Sequence, residues 1–443
     1  MAARFDLLIR HGTLVTGSGR QQVDVAVSGE QVAALGRRGE FADADAEQVL
    51  DASNLHVLPG VIDGHVHFRE PGLEHKEDWL TGSRAAVFGG ATTVLEMPNT
   101  DPPTRTRDEA QAKAALAGAK AHCDFGLFGL VDAVSTGAGS PAELIRSGLV
   151  VGLKVFLGPS TGDLELPPDA DLLRALGVAS AAGLRTAFHA EDALTIRANS
   201  GARTVEAEVR AIDHAAGLLS RARAAGHILH LSSAEGVDAV RRWRSRGVDL
   251  TCEVTPHHLF LTSDDVDRLG GMAKAYPPVR GQPHARALLE ALVEGVIDYA
   301  ASDHAPHTPS EKTAPDLASV PAGVPGVETL LPLLLTAVDG GMLSLERVVE
   351  ATSEAPAKAW GLWPRKGSVE VGADADLLLV ELGRDGAIHG PDLHAMHSIT
   401  PFEGRTTHGA VVATIVRGQI VVRGGRLLGE PGWGRRVAPT RRS

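Results

Sequence analysis

The sequence predicts an α/β chain, a (β/α)8 TIM barrel with a small β-sandwich built from both chain termini. Three observations carry this. Short apolar runs alternate with helical stretches through residues 57–364, which is how a parallel sheet is written in sequence. Residues 1–56 and 365–443 share a different texture of short strands and turns. Polar side chains of metal-binding type recur where the central apolar runs stop.

Taken in order, Phe5–Ile9, Gly12–Val15 and Val23–Val27 read as strands, too few to bury a core alone. Asp376–Val380 and the hairpin-like stretch from Val412 to Val422 repeat that pattern at the other end, so the two ends are expected to pair. Between them lie eight strand candidates: Val57–Ile62, Thr92–Met97, Asp124–Gly129, Gly152–Leu157, Arg185–Phe188, His227–Leu231, Leu250–Val254 and Ile297–Ala301. Helix punctuation separates them. Ser140-Pro141-Ala142-Glu143 reads as an N-cap, an N1 proline and an N3 acid, and Gly183, Gly226 and Gly247 stand where helices should stop.

A barrel places its chemistry at the C-terminal ends of its strands. His65 and His67 follow the first, Asn99 the second, His189 the fifth and Asp303 the eighth, with Lys154 in the fourth and His230 in the sixth. His65 and His67, two apart on an extended strand, leave the same face and can meet one metal ion. Four imidazoles, a carboxylate and a lysine suit a hydrolytic site with two divalent metal ions, zinc foremost, which acidify a water and polarise a carbonyl. A cationic Lys154 in Gly152-Leu153-Lys154-Val155-Phe156-Leu157 would be costly to bury. A carbamate formed on it from CO2 would instead supply an anionic bridging ligand. Asp303 combines the roles of metal ligand and proton carrier.

Composition sets limits. The formal charge of −12 over 443 residues argues against a general nucleic-acid binder, and Arg435, Arg436, Arg441 and Arg442 read as a solvated tail. No apolar stretch approaches the roughly 20 residues of a membrane helix and no leader pattern opens the chain, so a cytoplasmic protein is expected. Cys123 and Cys252 sit in apolar runs and read as buried thiols. His11, His56, His122, His214, His227 and His284 have no visible partner and read as surface or core residues. His257 and His258 are placed either at the pocket or in the scaffold, and His304 is expected to orient Asp303.

His65–Gly72 followed by His75-Lys76-Glu77-Asp78, then Met97-Pro98-Asn99-Thr100, His230–Gly236, Thr255–Leu259, Ser302–Thr308, Gly323–Thr329 and Thr400–Gly404 resemble the cyclic amidohydrolases, dihydroorotases in particular, over nearly the whole chain. The resemblance implies His65 and His67 on one metal, His189 and His230 on the other, carboxylated Lys154 between them, and Asp303 as ligand and base. It further implies that Arg69, Asn99 and His307 receive a ring carboxylate, with Ala322 and Gly323 also against the substrate, since an arginine fork with neutral partners suits that group. One departure stands out: many members of the family carry asparagine where Tyr276 precedes Pro277-Pro278. The implied reaction is reversible hydrolysis of dihydroorotate to N-carbamoyl-aspartate in pyrimidine biosynthesis. The alternatives are another cyclic-ureide hydrolase, an allantoinase or a hydantoinase/dihydropyrimidinase, and a non-catalytic partner of aspartate transcarbamoylase. A small-molecule substrate, a homodimer or homotetramer, and an association with aspartate transcarbamoylase complete what the likeness implies.

Overall fold

Eight central strands pair side by side in chain order, each neighbouring pair parallel. They are Val61–Val66, Ala91–Glu96, Asp124–Leu130, Gly152–Phe156, Thr186–His189, Gly226–Ile228, Leu250–Val254 and Tyr299–Ala300. A parallel bridge between Val66 and His304 brings the first strand against the eighth and closes the barrel. The His67 N–H donates to the His304 carbonyl there at 2.8 Å. Nearly every strand residue is buried on both faces, which is why these runs read as continuously apolar. The computed structural model describes residues 4–41, 44–160 and 164–440.

Helices cover the barrel and their starts follow local chemistry. Asp78 caps Trp79–Phe88 by accepting from the Thr81 N–H, and Thr106 with Glu109 forms a reciprocal capping box on Arg107–Lys120. Thr204 and Ser233 cap Val205–Ala222 and Ala234–Ser245. Two expected boundaries differ. The cap of helix Ser140–Ser147 is Gly139, in the left-handed region, and Ser140 is the first helical residue. Helix Val205–Ala222 stops on Arg223 at φ 49°, whereas Gly226 opens the sixth strand. A Cβ at Gly226 would lie 2.1 Å from Leu219 Cδ1, so that glycine serves close helix–strand packing rather than the helix end.

The terminal strands form a second, ten-stranded sheet. Gly19–Ser28 bends through it. Its first half pairs with Thr13–Thr16, and its second half with Arg4–Arg10 and Gln31–Arg37. The two layers share a core that includes Leu7, Val25 and Val27 from one and Leu14, Val57, Leu377 and Ile415 from the other. His56–Pro59 lies between Thr13–Thr16 and Leu377–Ala387. The expected strand Val57–Ile62 is therefore two strands: its front half belongs to the terminal sheet, Gly60 turns the corner, and Val61 starts the barrel.

Barrel and terminal sheet meet at a buried charge cluster. Lys366 Nζ lies 2.7 Å from Asp124 and Asp376 carboxylate oxygens and 3.0 Å from Asp374. Arg417 reaches Asp124 at 3.1 Å and Glu30 at 2.9 Å. The Arg-rich end is solvated only in part: the Arg435 side chain is exposed as expected, although its backbone N–H donates to Asp124 at 2.8 Å, whereas Arg436 Nη1 donates to the Gly148 carbonyl at 2.7 Å. The Phe125–Arg436 bridge and buried Val437 seat this segment along the third barrel strand. Arg441 and Arg442 lie outside the described residues. Cys123 and Cys252 are buried free thiols, and no described helix is long and apolar enough to cross a membrane.

Candidate active site

The C-terminal ends of the barrel strands surround a cavity open to solvent, and every candidate residue except His307 lines it. At its floor His65 Nε2 and His67 Nε2 are 3.2 Å apart. Asp303 Oδ1 is 3.2 Å from the first and 3.3 Å from the second. The spacing of two along the first strand thus brings both imidazoles to one point, and the turn after the eighth strand brings the carboxylate to the same point.

Two of the four imidazoles, His65 and His189, are aimed by buried acids. His65 Nδ1 lies 2.6 Å from Glu253 Oε1, which leaves its Nε2 lone pair facing inward. Glu253 also meets His227 Nε2 at 3.1 Å, and His227 Nδ1 meets Thr251 at 2.8 Å. Burial alone would raise the Glu253 carboxyl, but His65 and His227 outweigh it and hold it at about 2. His189 Nε2 rests on Glu191 at 3.0 Å, and its Nδ1 faces His230 Nε2 at 3.0 Å. Burial lowers His67 to about 3 and lowers His189 and His230 as well, so these rings are neutral, the form that donates a lone pair to a metal.

Lys154 is 1% exposed and its Nζ lies 4.5 Å from the centre of the Phe156 ring. Burial pulls its amine down to about 7. Arg69 is equally buried. Its Nε donates to the Pro306 carbonyl at 3.3 Å. His307 stands behind it: Lys76 donates to Nδ1 at 3.2 Å, so Nε2 carries the proton and meets the Ala322 carbonyl at 3.0 Å. The 3.4 Å approach of Arg69 Nη2 to that nitrogen is then contact, not donation, and the guanidinium keeps donors for the cavity. Asn99 Oδ1 is buried and has no partner among the described residues.

Three of these residues, Arg69, His230 and Asp303, have φ of 65°, 38° and 45°, a region that non-glycine residues rarely enter and that clusters at functional sites. Sequence reasoning missed Glu253, Glu191 and Arg203. An acid inside the apolar run Leu250–Val254 was the available signal for Glu253, the same one that singled out Lys154. His304, expected to orient Asp303, instead pairs with Glu77 at 3.4 Å and accepts from the Gly326 N–H at 3.1 Å. His258 is part of the scaffold, on Thr255 and the Pro277 carbonyl.

The donor set fits divalent metal. One donor atom each from His65, His67 and Asp303 lies within 4.8 Å of the others, and His230 Nδ1 is buried with no partner among the described residues. Asp124, Asp374 and Asp376 cluster similarly, but Lys366 Nζ already fills their centre.

A model of the amidohydrolase family matches residues 56–421, and the chain belongs to that family. It is a metal-dependent hydrolase of this class. Among its relatives, the chain is 45% identical over 429 residues to a dihydroorotase of Halobacterium salinarum, covering 94% of this chain and 96% of that one. It is 39% identical to an allantoinase of Rubrobacter xylanophilus, covering 99% and 98%. The solved L-hydantoinase from Arthrobacter aurescens superposes with a TM-score of 0.94 at 34% identity, covering 98% of this chain and 100% of that one.

Proposed function

We propose that the chain is a cyclic amidohydrolase that opens and closes the ring of dihydroorotate, interconverting it with N-carbamoyl-aspartate. The observation that carries this reading is Arg69, a fully buried cation whose spare donors face the same cavity as the His/Asp cluster. A buried guanidinium needs an anionic partner, and the ring carboxylate supplies one. The Halobacterium salinarum relative named dihydroorotase supports the choice.

His65, His67 and Asp303 would hold one divalent ion, and His189 with His230 a second, zinc by donor type, with carboxylated Lys154 between them, supplying a Lewis acid for the ring carbonyl and an acidified water. Glu253 and Glu191 fix the tautomers of His65 and His189. Asn99 presents an amide that can both donate to and accept from the ring. His307 holds Arg69 and the Ala322–Gly323 backbone in place. Asp303 accepts the proton of the attacking water on a carboxylate oxygen and returns it to the ring nitrogen as the C–N bond breaks. In the reverse direction the same carboxylate removes the ureido proton as the ring closes.

The test is a steady-state comparison of the zinc-loaded protein on dihydroorotate, allantoin, hydantoin and dihydrouracil. The highest kcat/KM is expected for dihydroorotate. Arg69→Met should lower that value by about 10² to 10³, the loss seen when one partner of a buried charge pair is truncated, and should affect uncharged rings far less. Preference for another ring, with Arg69→Met acting equally on all four, would overturn the carboxylate reading.

A further inference from the structure

Three loops frame the cavity mouth, and one side chain ties them together. Arg203 lies after the fifth strand, between helices Ala193–Ala198 and Val205–Ala222, and its side chain is 9% exposed. Its Nη1 donates to Glu191 on the same loop. Its Nη2 donates to the Pro159 carbonyl at 2.5 Å, on the loop after the fourth strand. Its guanidinium carbon lies 3.4 Å from the centre of the Tyr276 ring, on the loop after the seventh. The Arg203 carbonyl accepts from Arg280 at 3.3 Å, which fastens that last loop a second time. Tyr276 and Ser160, the latter next to Pro159, both line the cavity.

We propose that Arg203 is a positioning residue that sets substrate specificity by pinning Tyr276 as the wall of the cavity, so that the ring substituent admitted is limited by a phenol which the guanidinium holds flat. The assignment rests on the ring-opening reading of the site. A planar guanidinium can lie on an aromatic face while its edge donates to Glu191 and Pro159; a lysine ammonium keeps charge for Glu191 but cannot reproduce the stacked plane. Tyr276 touches none of the metal-binding candidates by hydrogen bond among the described residues, so its effect is on where the ring sits. Arg203 additionally supports His189 through Glu191, and the test separates the two effects.

The experiment compares Arg203→Lys, Tyr276→Ala, Tyr276→Phe and the Arg203→Lys/Tyr276→Ala double variant on dihydroorotate, hydantoin and 5-benzylhydantoin, with metal content per chain measured alongside. Arg203→Lys and Tyr276→Ala should each raise KM by about tenfold, the scale of a lost desolvated stacking contact. The rise in KM should exceed the fall in kcat, and acceptance of the benzyl ring relative to hydantoin should increase. Tyr276→Phe, which keeps the stacked ring, should retain the parent KM and selectivity. The double variant should match Tyr276→Ala, because both changes remove one arrangement. Metal content should equal that of the parent throughout. Independent multiplication of the two effects would overturn the proposal, as would loss of metal in Arg203→Lys with KM and selectivity unchanged. Because any ring that opens reports on Arg203, failure of dihydroorotate alone counts against the substrate reading and not against this one.

Discussion

Asp303 sits at φ 45° between Ser302 and His304, where a side chain without a local hydrogen-bonding group would be strained but Asp and Asn are tolerated. Asp303→Asn should therefore fold with a thermal midpoint near that of the parent while turnover falls by about 10³, the middle of the range for a lost proton carrier. Retained turnover would remove Asp303 from that role. Lys154 gives a pH prediction. Its amine is lowered by burial to about 7, so the neutral form, the one that the proposed carboxylation by CO2 requires, grows as pH rises through that value. Reactivation of carbonate-depleted protein by bicarbonate and metal should accelerate from pH 6 to 8, and Lys154→Arg should show no such response. The residue types at strand ends were legible in the sequence because the barrel dictates where chemistry sits. The aim of His65 was not, since it is set by Glu253, 188 positions away.

At the scale of elements, Gly60 marks what periodicity cannot show. The run from Val57 to Ile62 is apolar throughout, and a single-residue corner inside such a run leaves no alternation to detect. The structure shows why the corner is glycine: a Cβ at Gly60 would lie 2.1 Å from Thr92 Oγ1. Gly60→Ala should destabilise the protein by about 1–3 kcal/mol, as overpacking does, read as a lowered thermal midpoint, and Thr92→Ala should recover part of the loss. The other seven barrel strands were found near their observed places because each is bounded by a helix with its own caps. The eighth shrinks from the expected Ile297–Ala301 to Tyr299–Ala300, its continuation being the irregular turn that delivers Asp303.

Across the whole molecule, the joint between barrel and terminal sheet depends on Lys366. Its ammonium is held above the ordinary lysine value: burial opposes the charge, and Asp376, Asp124 and Asp374 outweigh it. Lys366→Met leaves Asp376 and Asp374 without their cation, while Asp124 keeps Arg417, so a loss of about 3–5 kcal/mol is expected. Burial already raises Asp376, and without Lys366 the folded state takes up protons more readily than the unfolded one. Its stability then rises as pH falls. The gap in thermal midpoint between variant and parent should narrow from pH 7 to pH 5, and a constant gap would place the effect elsewhere. That both ends of the chain build one sheet was legible from their shared texture. Which charges lock that sheet to the barrel was not, because Lys366, Asp124 and Arg417 are brought together only by the fold.

The strand His56–Pro59 is flanked on one side by Thr13–Thr16 and on the other by Leu377–Ala387, and through Gly60 it leads directly into the strand that carries His65. On a ribosome the first of these neighbours is made early and the second only after the whole barrel has emerged. The anchor of His65 and His67, the proposed first metal ligands, therefore keeps an open edge until synthesis is nearly over. Nascent chains arrested before residue 377 should accordingly acquire a metal centre later, or hold it more weakly, than chains released at full length.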